Sequence, residues 1–169
     1  MKHLNFISSG LIALTLAACA TGSQIETRSS GKSDDKVQSS QPTEATVIEL
    51  TQTGCQFLEV EAQDYQYQTK SAEDCVKINS KTLATRKSGF QSLELKPGKY
   101  IFRVTNSNVP YPLGFYLRGE GINKISLPKV SGGGLTQGIT KDYEITLTPG
   151  KYVFSCPLNP TPDYPIVVN

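Results

Sequence analysis

The chain has almost none of the two side chains that soft-metal and acid–base chemistry use most. Its only histidine is His3 and its only methionine is Met1. Both fall in an N-terminal segment expected to be removed, leaving no imidazole and no thioether. A type 1 copper centre takes two imidazoles and a thiolate, usually with a weak thioether, so such a centre is excluded. A cysteine nucleophile generally needs an imidazole or a strong positive field to form its thiolate. Arg103 and Arg118 have no spacing that places them beside a cysteine, so an enzyme is not expected. No basic tract and no aromatic–arginine cluster is present, which argues against nucleic acid as a partner. The glycine run Ser131-Gly132-Gly133-Gly134 lacks the Lys-Ser/Thr ending of a phosphate loop and is expected to be a flexible connection. No apolar run is long enough to cross a membrane as a helix.

The N-terminus carries the strongest positive signal. Lys2 supplies a basic start, Phe6, Ile7 and residues 11–16 a short apolar stretch, and Leu16-Ala17-Ala18-Cys19 a run of small residues leading into a cysteine. This pattern resembles a bacterial lipobox. It implies that residues 1–18 are a signal peptide and that Cys19 is acylated and becomes the new N-terminus. Each buried methylene of an acyl chain contributes about 0.8 kcal/mol, so palmitate-type chains on Cys19 make the membrane a partner. Ala20, rather than Asp, follows the cysteine. In lipoprotein sorting this implies the periplasmic face of the outer membrane.

Residues 19–45 hold the acylated cysteine and a stretch of Ser, Thr, Gln, Gly and Lys with almost no large apolar side chains. Such a segment buries too little surface to offset its ordering entropy and is expected to be a disordered tether. About 25 flexible residues reach roughly 25–30 Å. Once Lys2 is removed the charges nearly balance, as suits an exported domain.

From Thr46 the texture becomes that of a single domain, residues 46–169. Val47 to Leu50 and Phe57 to Val60 predict short strands around a Thr53-Gly54 turn. Ser71 predicts a helix N-cap, with Asp74 three residues on. The helix can run as far as Arg86, although the alternation of Val76 and Ile78 leaves a strand open. Leu93-Glu94-Leu95, Lys96-Pro97-Gly98-Lys99 and Tyr100 to Val104 form a strand–turn–strand unit. The same grammar returns over Ile145 to Phe154, through Thr148-Pro149-Gly150-Lys151. Proline before glycine predicts type II turns, and two such units predict a two-sheet sandwich.

Taken in order, these motifs resemble a cupredoxin domain. They are Cys55 after an early strand, the Leu95 to Tyr100 unit, Val104-Thr105-Asn106, the Leu147 to Tyr152 unit, and Cys156 before a last strand over residues 164–168. Within that resemblance, the chain is more similar to the cupredoxin-like domain of periplasmic iron-uptake lipoproteins of the EfeO type than to a blue-copper protein. The resemblance implies an all-β Greek-key sandwich, here with a short helical or irregular insertion between Ala62 and Ser92. It also implies where a copper protein's ligands would fall. Tyr111 lies near the first histidine position, Cys156 at the thiolate, Asn159 at the second histidine and Tyr164 near the axial methionine. None of the three substitutes suits a soft, thiolate-bound copper.

If Cys19 carries lipid, Cys55, Cys75 and Cys156 remain, and an oxidising compartment favours a disulfide. Cys55–Cys75 is the preferred pair, stapling the insertion to the first hairpin. Cys55–Cys156 is the rival, because the resemblance places both at one end of the sandwich. A lone Cys156 is either a packed small hydrophobe or a metal ligand joined by carboxylates such as Asp163 or Glu120. The loop from Pro157 to Pro165 either packs on itself and closes the end of the sandwich or, with Tyr111, Pro112, Phe115 and Tyr116, presents a ligand or protein-contact surface, for which Tyr111, Asn159, Asp163 and Tyr164 are the candidates. The function expected is a non-enzymatic binding or interaction module of the envelope with no cofactor. The alternative is an accessory copper or iron protein that uses Cys156.

Overall fold

The computed structural model describes residues 44–169. The expected signal peptide, Cys19 and most of the tether lie outside them. Nine strands form two sheets. β1 (Thr46–Thr53), β2 (Gln56–Phe57), β4 (Gly98–Asn106) and β7 (Thr140–Leu147) make one, in the order β2-β1-β4-β7. β3 (Leu93–Leu95), β5 (Leu113–Gly119), β6 (Val130–Leu135), β8 (Gly150–Ser155) and β9 (Tyr164–Val168) make the other, in the order β3-β9-β8-β5-β6. The expected all-β sandwich is what these strands build. β4 shows why: Tyr100, Phe102 and Val104 point into the interior while the residues between them stay partly exposed, the period of two of a half-buried strand. Phe57, Phe115, Phe154 and Tyr164 meet them, with Phe57–Phe154 ring centroids 5.1 Å apart in an edge-to-face arrangement that aromatic rings favour.

The two Pro-Gly units differ from expectation. β3 and β4 lie in different sheets, as do β7 and β8, so both units carry the chain across the sandwich. Gly98 and Gly150 have φ of 159° and 155°, far from the value near +80° that a type II turn needs. What the two units share is a tyrosine lock. Tyr100 Oη donates to Lys96 O at 2.8 Å, and Tyr152 Oη donates to Thr148 O at 2.9 Å. In each, the tyrosine two residues after the glycine bonds the carbonyl of the residue just before the proline, pinning the crossover from inside.

Three further segments depart from the sequence reading. Residues 58–60 form a 3-10 turn after a β2 of only two residues. The positive φ of the first turn sits on Cys55, at 64°, while Gly54 is required because a Cβ there would lie 2.2 Å from Tyr67 O. The glycine run belongs to strand β6 and is not a flexible connection. Gly132 pairs with Phe115, and a Cβ on it would lie 2.8 Å from the Tyr143 ring.

The insertion is helical. α1 spans Ala72–Arg86 with a capping box between Ser71 and Asp74. Asp74 Oδ2 accepts the backbone N–H of Lys70 at 2.8 Å and of Ser71 at 3.1 Å, which holds the Asp74 carboxyl below its usual range. The strand alternative for Val76 and Ile78 does not form.

Strand directions define two ends. β1 runs parallel to β4, with Thr46 opposite Tyr100. Thr46, both Pro-Gly crossovers and the β5–β6 connection therefore share the lower end. The β1–β2 turn, residues 107–112 and the loop after Cys156 share the upper end, with α1 beside them.

Candidate functional site

Three of the four positions that the resemblance equates with copper ligands do converge at the upper end. Cys156, just past β8, is fully buried and is the free cysteine among the described residues. Its Sγ accepts the N–H of Gly114 at 3.3 Å. Asn159 is fully buried and acts as a hub. Its Nδ2 donates to Thr53 O at 2.9 Å, and its Oδ1 accepts the N–H of Cys55 at 3.3 Å and the hydroxyl of Tyr111 at 3.0 Å. Tyr111 is half-buried and also lies 3.3 Å from Thr69 Oγ1 and 3.2 Å from Ser71 O. Cys55 and Cys75 are joined in a disulfide, so the preferred pairing holds and the rival with Cys156 does not form. Cys75 Sγ sits 3.1 Å from Asn159 Oδ1; a disulfide sulfur has no proton to give, so this is a packing contact.

The loop closes on itself. Cys156 N donates to Thr161 Oγ1 at 2.8 Å, and Cys156 O accepts the N–H of Thr161 at 3.2 Å and of Asn159 at 3.3 Å. Asn79 of α1 donates to Pro160 O at 2.6 Å, which ties the insertion to the same loop. Burial pushes the Cys156 thiol up, against the pull of the N–H groups of Gly114, Asn159 and Leu158. Burial likewise raises Tyr111. Both groups are therefore neutral at physiological pH.

This donor set does not fit type 1 copper. The Cys156 sulfur is bonded by the Gly114 N–H, and the aligned Tyr111 and Asn159 are a phenol and a carboxamide already bonded to one another and to backbone groups. The unpartnered buried side-chain oxygens among the described residues are Gln52 Oε1, Thr53 Oγ1 and Tyr143 Oη, hard neutral donors unsuited to a thiolate-bound copper. Among the described residues no three His, Cys, Asp or Glu side chains are grouped to hold a metal. The carboxylates expected to help Cys156 are elsewhere. Arg118 Nη2 donates to both Asp163 carboxylate oxygens, at 2.8 Å each, and Arg118 lies over the Tyr116 ring at 4.7 Å. Glu120 follows β5 at the lower end, its N–H bonded to Lys151 O at 2.9 Å.

Tyr164 and Asn159, expected to contribute to a contact surface, are instead interior. Tyr164 is fully buried, and its hydroxyl donates to Glu61, which also receives Arg86 Nε at 2.9 Å. Burial first, and the Glu61 carboxylate second, push the Tyr164 hydroxyl up. Arg86 Nη2 further bonds Cys55 O at 3.2 Å and Nη1 bonds Asn79 Oδ1 at 2.7 Å, while its Cζ lies 5.1 Å and 5.3 Å from the rings of Tyr65 and Tyr67. Burial opposes the Arg86 charge, but the bonds and charge of Glu61 outweigh it and raise the guanidinium further. Sequence reasoning missed this Glu61–Arg86–Tyr164 network. Glu61 borders an exposed stretch and Arg86 reads as an ordinary last-turn cation.

What remains open is a groove of about 740 Å³ along the β5–β6 edge, running from Lys129 and Val130 toward the lower end, past Tyr116 and Gly133, to Pro157 and Leu158 at the upper end. Gly133 keeps it open, since a Cβ there would meet nothing closer than 3.9 Å. Pro157 and Leu158 are the part of the proline-rich loop that faces it.

No family model matches the chain, and no curated protein matches it. Among solved structures it is similar to auracyanin B, a cupredoxin, with a TM-score of 0.46 and 14% identity over 75% of this chain and 91% of that chain.

Proposed function

We propose that this chain is a non-enzymatic binding module of the bacterial cell envelope. In this reading it is a lipoprotein anchored through Cys19 on the periplasmic side of the outer membrane and carries no type 1 copper. The observation that supports it best is the division of the upper end. The interior positions are filled by neutral groups bonded to one another, and a groove walled by Tyr116, Pro157 and Leu158 is left accessible beside them. A groove that offers a tyrosine, a proline and a half-exposed leucine on a tightly bonded loop suits protein contact.

The test uses the acylated protein crosslinked in its native envelope. Leu158→Asp and Tyr116→Ala should reduce capture of the partner while leaving the unfolding temperature unchanged. Unchanged capture by both variants refutes the groove. An intense sulfur-to-copper absorption band in protein isolated from that envelope refutes the copper-free reading.

A second reading, copper or iron binding through Cys156, has one observation in its favour: the Gly114 N–H aimed at the sulfur. It follows the likeness to the iron-uptake lipoproteins of the EfeO type. It needs a thiolate that burial disfavours, and for a two-sulfur site it needs reduction of the Cys55–Cys75 bond. Equal Cu(I) affinity for the wild type and for Cys156→Ser would end it.

A further inference from the structure

The lower end carries a feature that neither the fold nor the groove explains. Ile122 is 91% exposed and Ile125 is 94% exposed, the most exposed large apolar side chains among the described residues. They sit in the β5–β6 connection, on and just after the 3-10 turn Gly121–Lys124. The connection is tightly folded. Asn123 N donates to Glu120 O and Leu127 N donates to Asn123 O, both at 3.0 Å. It packs so closely on Gly119 that a Cβ there would lie 2.2 Å from Asn123 O. Leu127 turns inward against Gly150. The same short segment therefore buries one leucine and holds two isoleucines out in water. Isolated exposed apolar residues are ordinary, but two held out by one tightly bonded turn point to a contact.

The surroundings identify what is contacted. Lys124 and Lys129 flank the isoleucines, and Lys96, Lys99 and Lys151 lie at the two Pro-Gly crossovers of the same end. These five lysines face four carboxylates, Glu44, Glu94, Glu120 and Glu144; Glu144 shares a recess with Ala45 and Lys99, and Glu120 one with Lys124. The described chain also enters the domain at this end, since Thr46 opens β1 opposite Tyr100 and Ala45 lies beside Lys99 and Tyr100. Whatever the preceding residues are attached to is reached from here. Apolar side chains flanked by lysines, at the end of the sandwich where the chain enters, match an anionic bilayer surface in both polarity and charge.

We propose that Ile122 and Ile125 insert into the interfacial layer of an anionic phospholipid membrane, with Lys124 and Lys129 on the headgroups. The sandwich then stands lower end down, with the Pro157–Leu158 end of the groove facing away from the bilayer. This rests on the lipid-anchor reading for its orientation, and the test separates the two.

The chain has no tryptophan, so Ile122→Trp is a single fluorescent reporter at the tip, with Ile125→Trp as the substitute if the first does not fold. Leu158→Trp reports the opposite end. The acylated full chain is reconstituted with phosphatidylcholine vesicles, with and without phosphatidylglycerol. Flotation with the vesicles reads the anchor. Emission reads docking: a blue shift and quenching by brominated acyl chains are expected at position 122, larger with phosphatidylglycerol, and neither at position 158. Flotation with solvent-like emission at 122 overturns docking and leaves the anchor standing. Shifts at both 122 and 158 overturn the orientation. A shift that grows with protein concentration in the absence of vesicles assigns the patch to a second copy and overturns the proposal. If the chain does not float, the anchor reading fails; the double variant Cys19→Ser/Ile122→Trp, at high lipid, then decides docking alone, a shift supporting it and no shift overturning it.

Discussion

Replacing Arg86 by methionine is expected to be the most damaging single change that leaves the hydrophobic core untouched. The Glu61 carboxylate is 1% exposed and the Arg86 side chain 2% exposed. Water therefore cannot take over when the guanidinium is lost, and Glu61 keeps only the Tyr164 hydroxyl. Breaking a buried pair in this way costs about 3–5 kcal/mol, because a desolvated charge is stranded. Cys55 O and Asn79 Oδ1 lose their donors as well. For a domain of this size the loss corresponds to a fall in Tm of about 10–15 °C. Tyr164→Phe removes one hydrogen bond to a charged group and should cost about 1.5–3 kcal/mol. The double variant Glu61→Leu/Arg86→Met removes both charges together. It should be less destabilised than the sum of its single variants by about 2–3 kcal/mol, as contacting residues usually show. Urea unfolding followed by far-ultraviolet circular dichroism, with the disulfide intact, measures every variant against the wild type. If Arg86→Met loses less than about 1 kcal/mol, the pair behaves as a solvated surface bridge and the buried-network reasoning is wrong.

Other outcomes follow from the same structure. Removing the Cys55–Cys75 bond by double serine substitution frees a loop with a sequence separation of 20 and should cost about 3 kcal/mol; an unchanged urea midpoint would mean the insertion is held by α1 contacts alone. Gly54→Ala places a methyl against Tyr67 O and should cost about 1–3 kcal/mol by thermal unfolding. Cys156 should resist thiol reagents in the folded protein and react at once in denaturant. Because burial raises its folded pKa, its contribution to stability is complete below the unfolded thiol's pKa and is lost as pH rises from that value through the folded one; unfolding midpoints across the alkaline range check the sign. Asp74 is shifted the other way. The α1 cap should persist above the unfolded aspartate pKa and loosen as pH falls through the lower folded value, seen as faster hydrogen exchange at Lys70 and Ser71.

Features governed by neighbours in sequence were legible in advance. The alternation of Tyr100, Phe102 and Val104 specifies a half-buried strand wherever it lies, and Ser71 with Asp74 specifies a helix start because both partners are within one turn. The three aligned positions Tyr111, Cys156 and Asn159 do meet. Their consequence for exposure was not legible: whether Asn159 faces solvent or Thr53 depends on strands about a hundred residues away in the chain, and Tyr164 is drawn inward by a carboxylate that precedes α1.

The sequence by itself determined which donors exist. With no imidazole among residues 44–169, no folding of them can assemble a two-histidine copper site around Cys156. It also determined the period of the strands and the cap of α1, since these depend on covalent spacing and local hydrogen bonding. Only the tertiary structure decided that the Pro-Gly units cross between sheets, that Cys55 pairs with Cys75, that Glu61 and Arg86 share a dry interior, and that Ile122 and Ile125 stand in water. Those outcomes depend on which distant surfaces come within bonding distance and exclude solvent, and sequence spacing carries no measure of that distance.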